Sequence, residues 1–223
     1  MALPGNGRRT TMQPSRTETC AFQGPAGELE GLLDSPATPA RAIAVICHPH
    51  PLGQGSMHNK VAYILARACN DLGATSLRFN FRGVGKSAGV FDEGVGETDD
   101  ALAAIDWLSA RHPALPLWLG GFSFGAYVAL RAQSGRPVRR LVTVAPAVER
   151  FDTRAIQEPR CPWLLVQGDA DEVVSAPAVF AWAASLKRPP HIAVLKGAGH
   201  FFHGRLNEVR DAVVAEFAHT SDP

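Results

Sequence analysis

The sequence predicts an α/β fold: a mostly parallel central sheet, an antiparallel hairpin at its N-terminal edge, and helices on both faces. Two observations carry the prediction. From about residue 42 onward, short apolar runs alternate with segments of helical periodicity. One of those runs, Ala42-Ile43-Ala44-Val45-Ile46-Cys47, is apolar at every position, as in a strand covered on both faces. In such sheets ligands bind where the strands end, at their carboxyl termini.

Residues 1–16 are polar, with Pro4, Gly5, Gly7 and Pro14, and read as a flexible leader; 17–223 read as a single domain. The segments 17–22 and 28–33, separated by Gln23-Gly24-Pro25-Ala26-Gly27, predict the hairpin. After the 42–47 strand, Val61, Ile64, Leu65, Ala68 and Cys69 recur at helical spacing, and Gly73 ends a helix over 57–72. A strand follows over 75–81. Thr98 is expected to cap a helix reaching residue 110, with Asp99 and Asp100 in the first turn, where the helix dipole favours carboxylates. Beyond it the pattern predicts a strand over 115–119, a helix over 124–134, strands over 140–145 and 163–167, a helix over 176–186, a strand over 191–195 and a closing helix over 203–218.

Composition excludes several functions. The 223 residues carry 22 Lys and Arg against 21 Asp and Glu, a net charge of +1, and no basic stripe with interleaved aromatics of the kind that nucleic-acid binding needs. The cysteines, Cys20, Cys47, Cys69 and Cys161, are far apart and form no C-x-x-C pair, so neither a zinc site nor a disulfide framework is predicted. Arg8, Arg9 and Arg16 stand near the start without the apolar segment of a secretory signal, and no apolar stretch reaches the length of a membrane span. These features predict a cytoplasmic protein without membrane association; oligomeric state is not legible.

The chemistry centres on Leu117-Trp118-Leu119-Gly120-Gly121-Phe122-Ser123-Phe124-Gly125-Ala126. An apolar run ends in glycines, and a serine follows between Gly121 and Gly125, which is the pattern of strand, sharp turn and helix. Small flanking residues are required there because a serine at such a turn is held at strained angles with its neighbours crowded. A chance match to G-x-S-x-G in a chain of this length is on the order of one in ten to one in twenty, so the context decides. Later strand ends present Asp169 and Asp171, then His200 after Gly197-Ala198-Gly199. Serine, carboxylate and histidine in this order suit a nucleophile, an orienting acid and a base: imidazole takes the hydroxyl proton near neutral pH, and a carboxylate fixes the ring's tautomer. His203 is a rival base, placed where the last helix is expected to begin.

Two other patterns invite different chemistry. His48, His50 and His58 lack helical His-x-x-x-His spacing or a nearby carboxylate, so no metal is predicted. Gly83-Val84-Gly85-Lys86-Ser87 lacks the earlier glycine of a phosphate-binding loop, whose place is taken by Asn80 in the expected strand; no cofactor is predicted.

Taken jointly, Cys47-His48-Pro49-His50-Pro51-Leu52-Gly53, the stretch Arg78-Phe79-Asn80-Phe81-Arg82-Gly83, the serine turn, Gly168-Asp169-Ala170-Asp171-Glu172-Val173-Val174 and Gly197-Ala198-Gly199-His200-Phe201-Phe202 resemble the α/β-hydrolase superfamily, specifically its small lidless, dienelactone-hydrolase-like serine esterases. The resemblance implies Ser123 as nucleophile, His200 as base and Asp171, directly before the Glu-Val-Val segment, as acid. Asp169 is then a turn residue bonded to its own backbone. It also implies an oxyanion hole from the amide of Phe124 and one from the loop after Cys47. Pro49 and Pro51 have no N–H, which leaves His50 and Leu52, and analogy with family loops selects His50. The connection 146–162 is too short for a cap domain, so the site is expected to be open, with Leu52, Phe91 and Phe201 as apolar walls. The implied substrate is a small, short-acyl carboxylic ester cleaved through an acyl-enzyme. The same residues would serve a thioesterase or a peptidase, and a non-catalytic binding protein on this scaffold is the competing class.

Overall fold

Successive residues of the strand Ala42–Cys47 pack into two different cores: Ala42, Ala44 and Ile46 face one layer, and Ile43, Val45 and Cys47 the other. This two-sided burial is what a central strand requires. The computed structural model describes residues 16–154 and 156–218. The expected leader, apart from Arg16, lies outside the described residues. The strands are β1 (Arg16–Gly24), β2 (Gly27–Ser35), β3 (Ala42–Cys47), β4 (Ala74–Phe79), β5 (Leu117–Phe122), β6 (Val138–Val144), β7 (Trp163–Gly168) and β8 (His191–Leu195). They form one sheet in the order β1-β2-β4-β3-β5-β6-β7-β8. The β1–β2 and β2–β4 pairs are antiparallel and the remaining pairs parallel, so the hairpin occupies one edge.

Helices α1 (Lys60–Asp71) and α5 (Leu206–Phe217) cover the face that receives Ala42, Ala44 and Ile46; α2 (Val95–Arg111), α3 (Phe124–Ala132) and α4 (Ala176–Ala184) cover the other. This is the lidless α/β-hydrolase architecture. Among the described residues the connection between β6 and β7 contains turns and no helix. No helix of the described residues is long and apolar enough to cross a membrane.

Several boundaries differ from expectation for identifiable reasons. Helix α2 begins at Val95, before Thr98: the buried Glu97 reaches back to accept the amides of Asp92 (2.9 Å) and Gly94 (2.7 Å), and Gly94, at φ 91°, turns the chain into the helix. Thr98 caps nothing; its hydroxyl donates to the Gly94 carbonyl. Asp100 is buried and accepts Nε and Nη2 of Arg82 at 3.0 and 2.8 Å instead of serving the helix dipole. Helix α1 starts at Lys60 because the Asn59 side chain accepts the amides of Val61 and Ala62. Strand β4 stops before Asn80, whose side chain accepts the Met57 amide and donates to Glu30. Strand β5 continues to Phe122, in register with β3 (Ile43 beside Leu117, Cys47 beside Gly121), and delivers the chain directly to Ser123. Helix α5 starts at Leu206, so His203 lies in the turn before it.

A buried ion pair ties the hairpin to the parallel strands. Arg78 Nε and Nη2 reach Asp34 Oδ2 at 2.9 and 2.8 Å, with both side chains at or below 7% exposure. Arg78 Nη1 also donates to the Met57 carbonyl, and Thr17 Oγ1 donates to Asp34 Oδ1.

Candidate functional site

Ser123 stands between β5 and α3 at φ 55°, ψ −116°, a backbone region that costs a non-glycine residue about 1–3 kcal/mol. Its amide is tied to the Val144 carbonyl at 2.8 Å. The flanking glycines are steric necessities. A Cβ on Gly121 would fall 2.1 Å from the Gly125 carbonyl oxygen, and one on Gly125 would fall 2.3 Å from that of Cys47. The turn is thus wedged against the end of β3, with Ser123 only 8% exposed.

His200 Nε2 lies 3.2 Å from Ser123 Oγ, and His200 Nδ1 lies 2.8 Å from Asp171 Oδ2. An ionised carboxylate only accepts, so Nδ1 carries the proton and Nε2 is left free to accept from the serine hydroxyl. Asp171 Oδ1 takes the amides of Val173 (2.8 Å) and Val174 (2.7 Å), and Oδ2 also takes Gln167 Nε2 (3.1 Å). Burial would raise the Asp171 pKa, but the hydrogen bonds from His200 and from the Val174 and Val173 amides outweigh it and hold the carboxyl below its ordinary range.

The loop after β7 grips the loop after β8 residue by residue. Asp169 Oδ1 accepts the Gly197 amide, the Ala170 amide donates to the Ala198 carbonyl, and Glu172 Oε2 accepts the His200 amide at 3.1 Å. Asp169 therefore does not close its own turn, as expected from sequence; it reaches across to the neighbouring loop. Gln167 and Glu172, which sequence reasoning passed over, act on Asp171 and His200: Gln167 stands four residues before Asp171 at the end of the same strand, whereas Glu172 reaches His200 across two strand ends, a contact for which the linear sequence carries no periodic signal. His203 is exposed, and its ring meets Phe201 rather than Ser123.

In the loop after β3, the Leu52 amide is engaged by His50 Nδ1 at 3.2 Å. Among the described residues, the main-chain amides of His50 and Phe124 carry no hydrogen bond to another protein group. His48 is fully buried. Its Nε2 accepts the Phe81 amide at 3.1 Å and its Nδ1–H donates to the Pro49 carbonyl at 2.6 Å, so the ring is a neutral strut between the ends of β3 and β4. Burial pushes its pKa down to about 4, opposed by the Pro49 carbonyl. His58 is exposed, and among the described residues no group of three or more His, Cys, Asp or Glu is placed to hold a metal ion.

The residues expected as apolar walls have different neighbours. Phe201, 43% exposed, lies 5.0 Å from the His200 ring and 6.2 Å from Phe122. The His50 ring lies 4.8 Å from Phe91 and 5.1 Å from Phe124, and Phe151 joins it at 5.2 Å from Phe124. Phe151 comes from the irregular connection after β6, where no pattern singled it out. Leu52 is 75% exposed. Burial, then the charge of Arg150, lower the His50 pKa against the opposing pull of Glu97.

This geometry agrees with what the chain is similar to. The family model described as serine aminopeptidase, S33, matches residues 38–157. An uncharacterized protein of Rickettsia prowazekii is 39% identical over 202 residues, covering 86% of this chain and 85% of its own. The crystal structure of a lidless α/β serine hydrolase of Xanthomonas campestris is 40% identical with a TM-score of 0.89, over 95% of this chain and 99% of that one. An α/β serine hydrolase homologue of Coxiella burnetii is 43% identical with a TM-score of 0.87, over 90% and 97%. A match across more than half the chain, with relatives of this identity along nearly all of it, places the protein in the serine aminopeptidase S33 family of α/β serine hydrolases, among members that have no lid.

Proposed function

We propose that the protein is a serine carboxylesterase in which Ser123 is the nucleophile, His200 the general base and acid, and Asp171 the orienting acid. The observation that carries the reading is the continuous hydrogen-bonded chain from Ser123 Oγ through both ring nitrogens of His200 to Asp171. Ser123 Oγ attacks the ester carbonyl carbon as its proton passes to His200 Nε2. The imidazolium is stabilised by the Asp171 carboxylate, which remains ionised. The carbonyl oxygen becomes an oxyanion and is received by the unengaged amides of Phe124 and His50, each a donor already oriented before charge develops. Collapse of the intermediate breaks the bond to the alcohol, which takes the proton from Nε2 and leaves an acyl-serine. Water, activated by the same nitrogen, hydrolyses it.

Turnover of a nitrophenyl acetate by the wild type and its loss in Ser123→Ala, with unchanged circular dichroism, is the expected result, together with fluorophosphonate labelling that Ser123→Ala abolishes. Retention of most activity in the variant would overturn the reading. The peptidase reading has the name of the matched family in its favour. Hydrolysis of aminoacyl nitroanilides faster than of the matching esters would select it.

A further inference from the structure

Among the described residues, the buried side-chain atoms without a hydrogen-bond partner are Asn70 Oδ1, Trp118 Nε1 and Gln167 Oε1. Asn70 ties α1 to the Asp34 and Ala74 carbonyls through its Nδ2, and Trp118 lies within β5. Gln167 is the one whose own amide touches the chain of Ser123, His200 and Asp171. It is fully buried and is the one polar side chain of β7, which runs Trp163-Leu164-Leu165-Val166-Gln167-Gly168. A buried acceptor left unpaired is a cost that an apolar residue of similar size would avoid.

The amide cannot turn over to satisfy that oxygen. Gln167 Nε2 donates to the Gly168 carbonyl and to Asp171 Oδ2, each at 3.1 Å, and in the reversed orientation Oε1 would face both of these acceptors. The orphaned carbonyl is therefore the consequence of aiming an N–H at Asp171. Each oxygen of that carboxylate takes two donors: Oδ1 the amides of Val173 and Val174, Oδ2 the Nδ1–H of His200 and the Nε2–H of Gln167. Gln167 thus shares with His200 the oxygen that orients the imidazole.

We propose that Gln167 is a positioning residue, which holds Asp171 Oδ2 in line with His200 Nδ1 and keeps the carboxylate ionised while the ring carries the proton taken from Ser123. The inference rests on the esterase reading for the roles of those three residues. With donors on both oxygens, the carboxylate cannot rotate about its Cβ–Cγ bond without breaking hydrogen bonds. A second donor on Oδ2 also makes that oxygen less ready to accept the proton from Nδ1. Glu172, the other carboxylate bonded to His200, meets its main-chain N–H and not its ring. Stability is given up at one atom for alignment at another, as at sites where function and stability compete.

The test is Gln167→Met, which keeps the length of the side chain and removes both the donor and the unpaired carbonyl. With nitrophenyl acetate, kcat should fall about tenfold at nearly unchanged KM, the effect of one hydrogen bond to a charged group. The acid limb of kcat/KM should move to higher pH, because a carboxylate with one donor fewer favours the protonated ring. The melting temperature should hold or rise, whereas a packing role would lower rate and stability together. Gln167→Glu can donate to Asp171 only while protonated, so it should restore much of the rate near neutral pH and lose it as the pH rises. Wild-type kcat and pH profile in Gln167→Met would overturn the proposal, as would a loss of rate matched by an equal loss of folded protein. The rate at which fluorophosphonate labels Ser123 reads the same alignment without an ester. A wild type that is labelled but cleaves no ester would overturn the esterase reading, and the labelling rates of the variants would still decide the role of Gln167. No labelling of the wild type would overturn Ser123 as nucleophile and this inference with it.

Discussion

Glu172 Oε2 accepts the main-chain N–H of His200 at 3.1 Å, while the adjacent Asp171 holds the same residue's ring at 2.8 Å. Two consecutive carboxylates thus fix one histidine at two points. Glu172→Ala removes the main-chain anchor and lets the imidazole drift from Ser123. Displacements of about 1 Å in such sites cost up to about 100-fold, and with the ring contact intact a loss of about tenfold in kcat is expected, with KM nearly unchanged. Glu172→Gln keeps a carbonyl acceptor and should recover most of the rate. Equal kcat in all three proteins would show that the main-chain anchor has no catalytic consequence.

Gly125→Ala should destabilise the fold rather than merely slow the reaction. The added carbon would meet two main-chain oxygens, 2.3 Å from that of Cys47 and 2.4 Å from that of His48, and neither can rotate away. Overpacking of this kind costs about 1–3 kcal/mol or more. A melting temperature within a degree of the wild type would contradict the wedged geometry of the serine turn.

The buried His48 predicts an acid-sensitive fold. Its folded pKa of about 4 lies below the ordinary 6.5, so the neutral ring's contribution is complete above pH 6.5 and is lost as the pH falls toward 4, where the unfolded chain binds the extra proton. The window corresponds to about 3 kcal/mol at most. Urea unfolding at pH 7, 5.5 and 4 should show a steeper loss for the wild type than for His48→Gln. Parallel curves would mean that His48 titrates normally.

Asp34→Ala would leave Arg78 charged and unpaired in the interior, a change that costs about 3–5 kcal/mol, whereas the double variant Asp34→Ala/Arg78→Met should regain much of it. Chemical denaturation of the three variants measures the coupling. Additive effects would show that the pair contributes no interaction energy.

The parts of this molecule that were legible in sequence are those encoded by covalent spacing. The all-apolar 42–47 run shows two-sided burial without any partner being known, and the glycines around Ser123 announce a tight turn because no larger residue fits. What escaped depends on encounters between distant segments. The contact of Glu172 with His200 and the arrival of Phe151 beside Phe124 exist only once separate strand ends meet. Thr98 misled for a local reason: it satisfies the usual preference for a helix cap, but Glu97, one residue earlier, folds back over Gly94 and starts the helix sooner. Asp169 misled for the opposite reason, since a neighbouring loop competed successfully for an acceptor that a turn would otherwise use.

The paired loops after β7 and β8 have a mechanical consequence. Among the described residues strand β8 is the outer member of the sheet, bonded on one side to β7. Fluctuation at that margin carries imidazole and acid together as a single plate, so their mutual alignment survives, and the coordinate that varies is the gap to the hydroxyl.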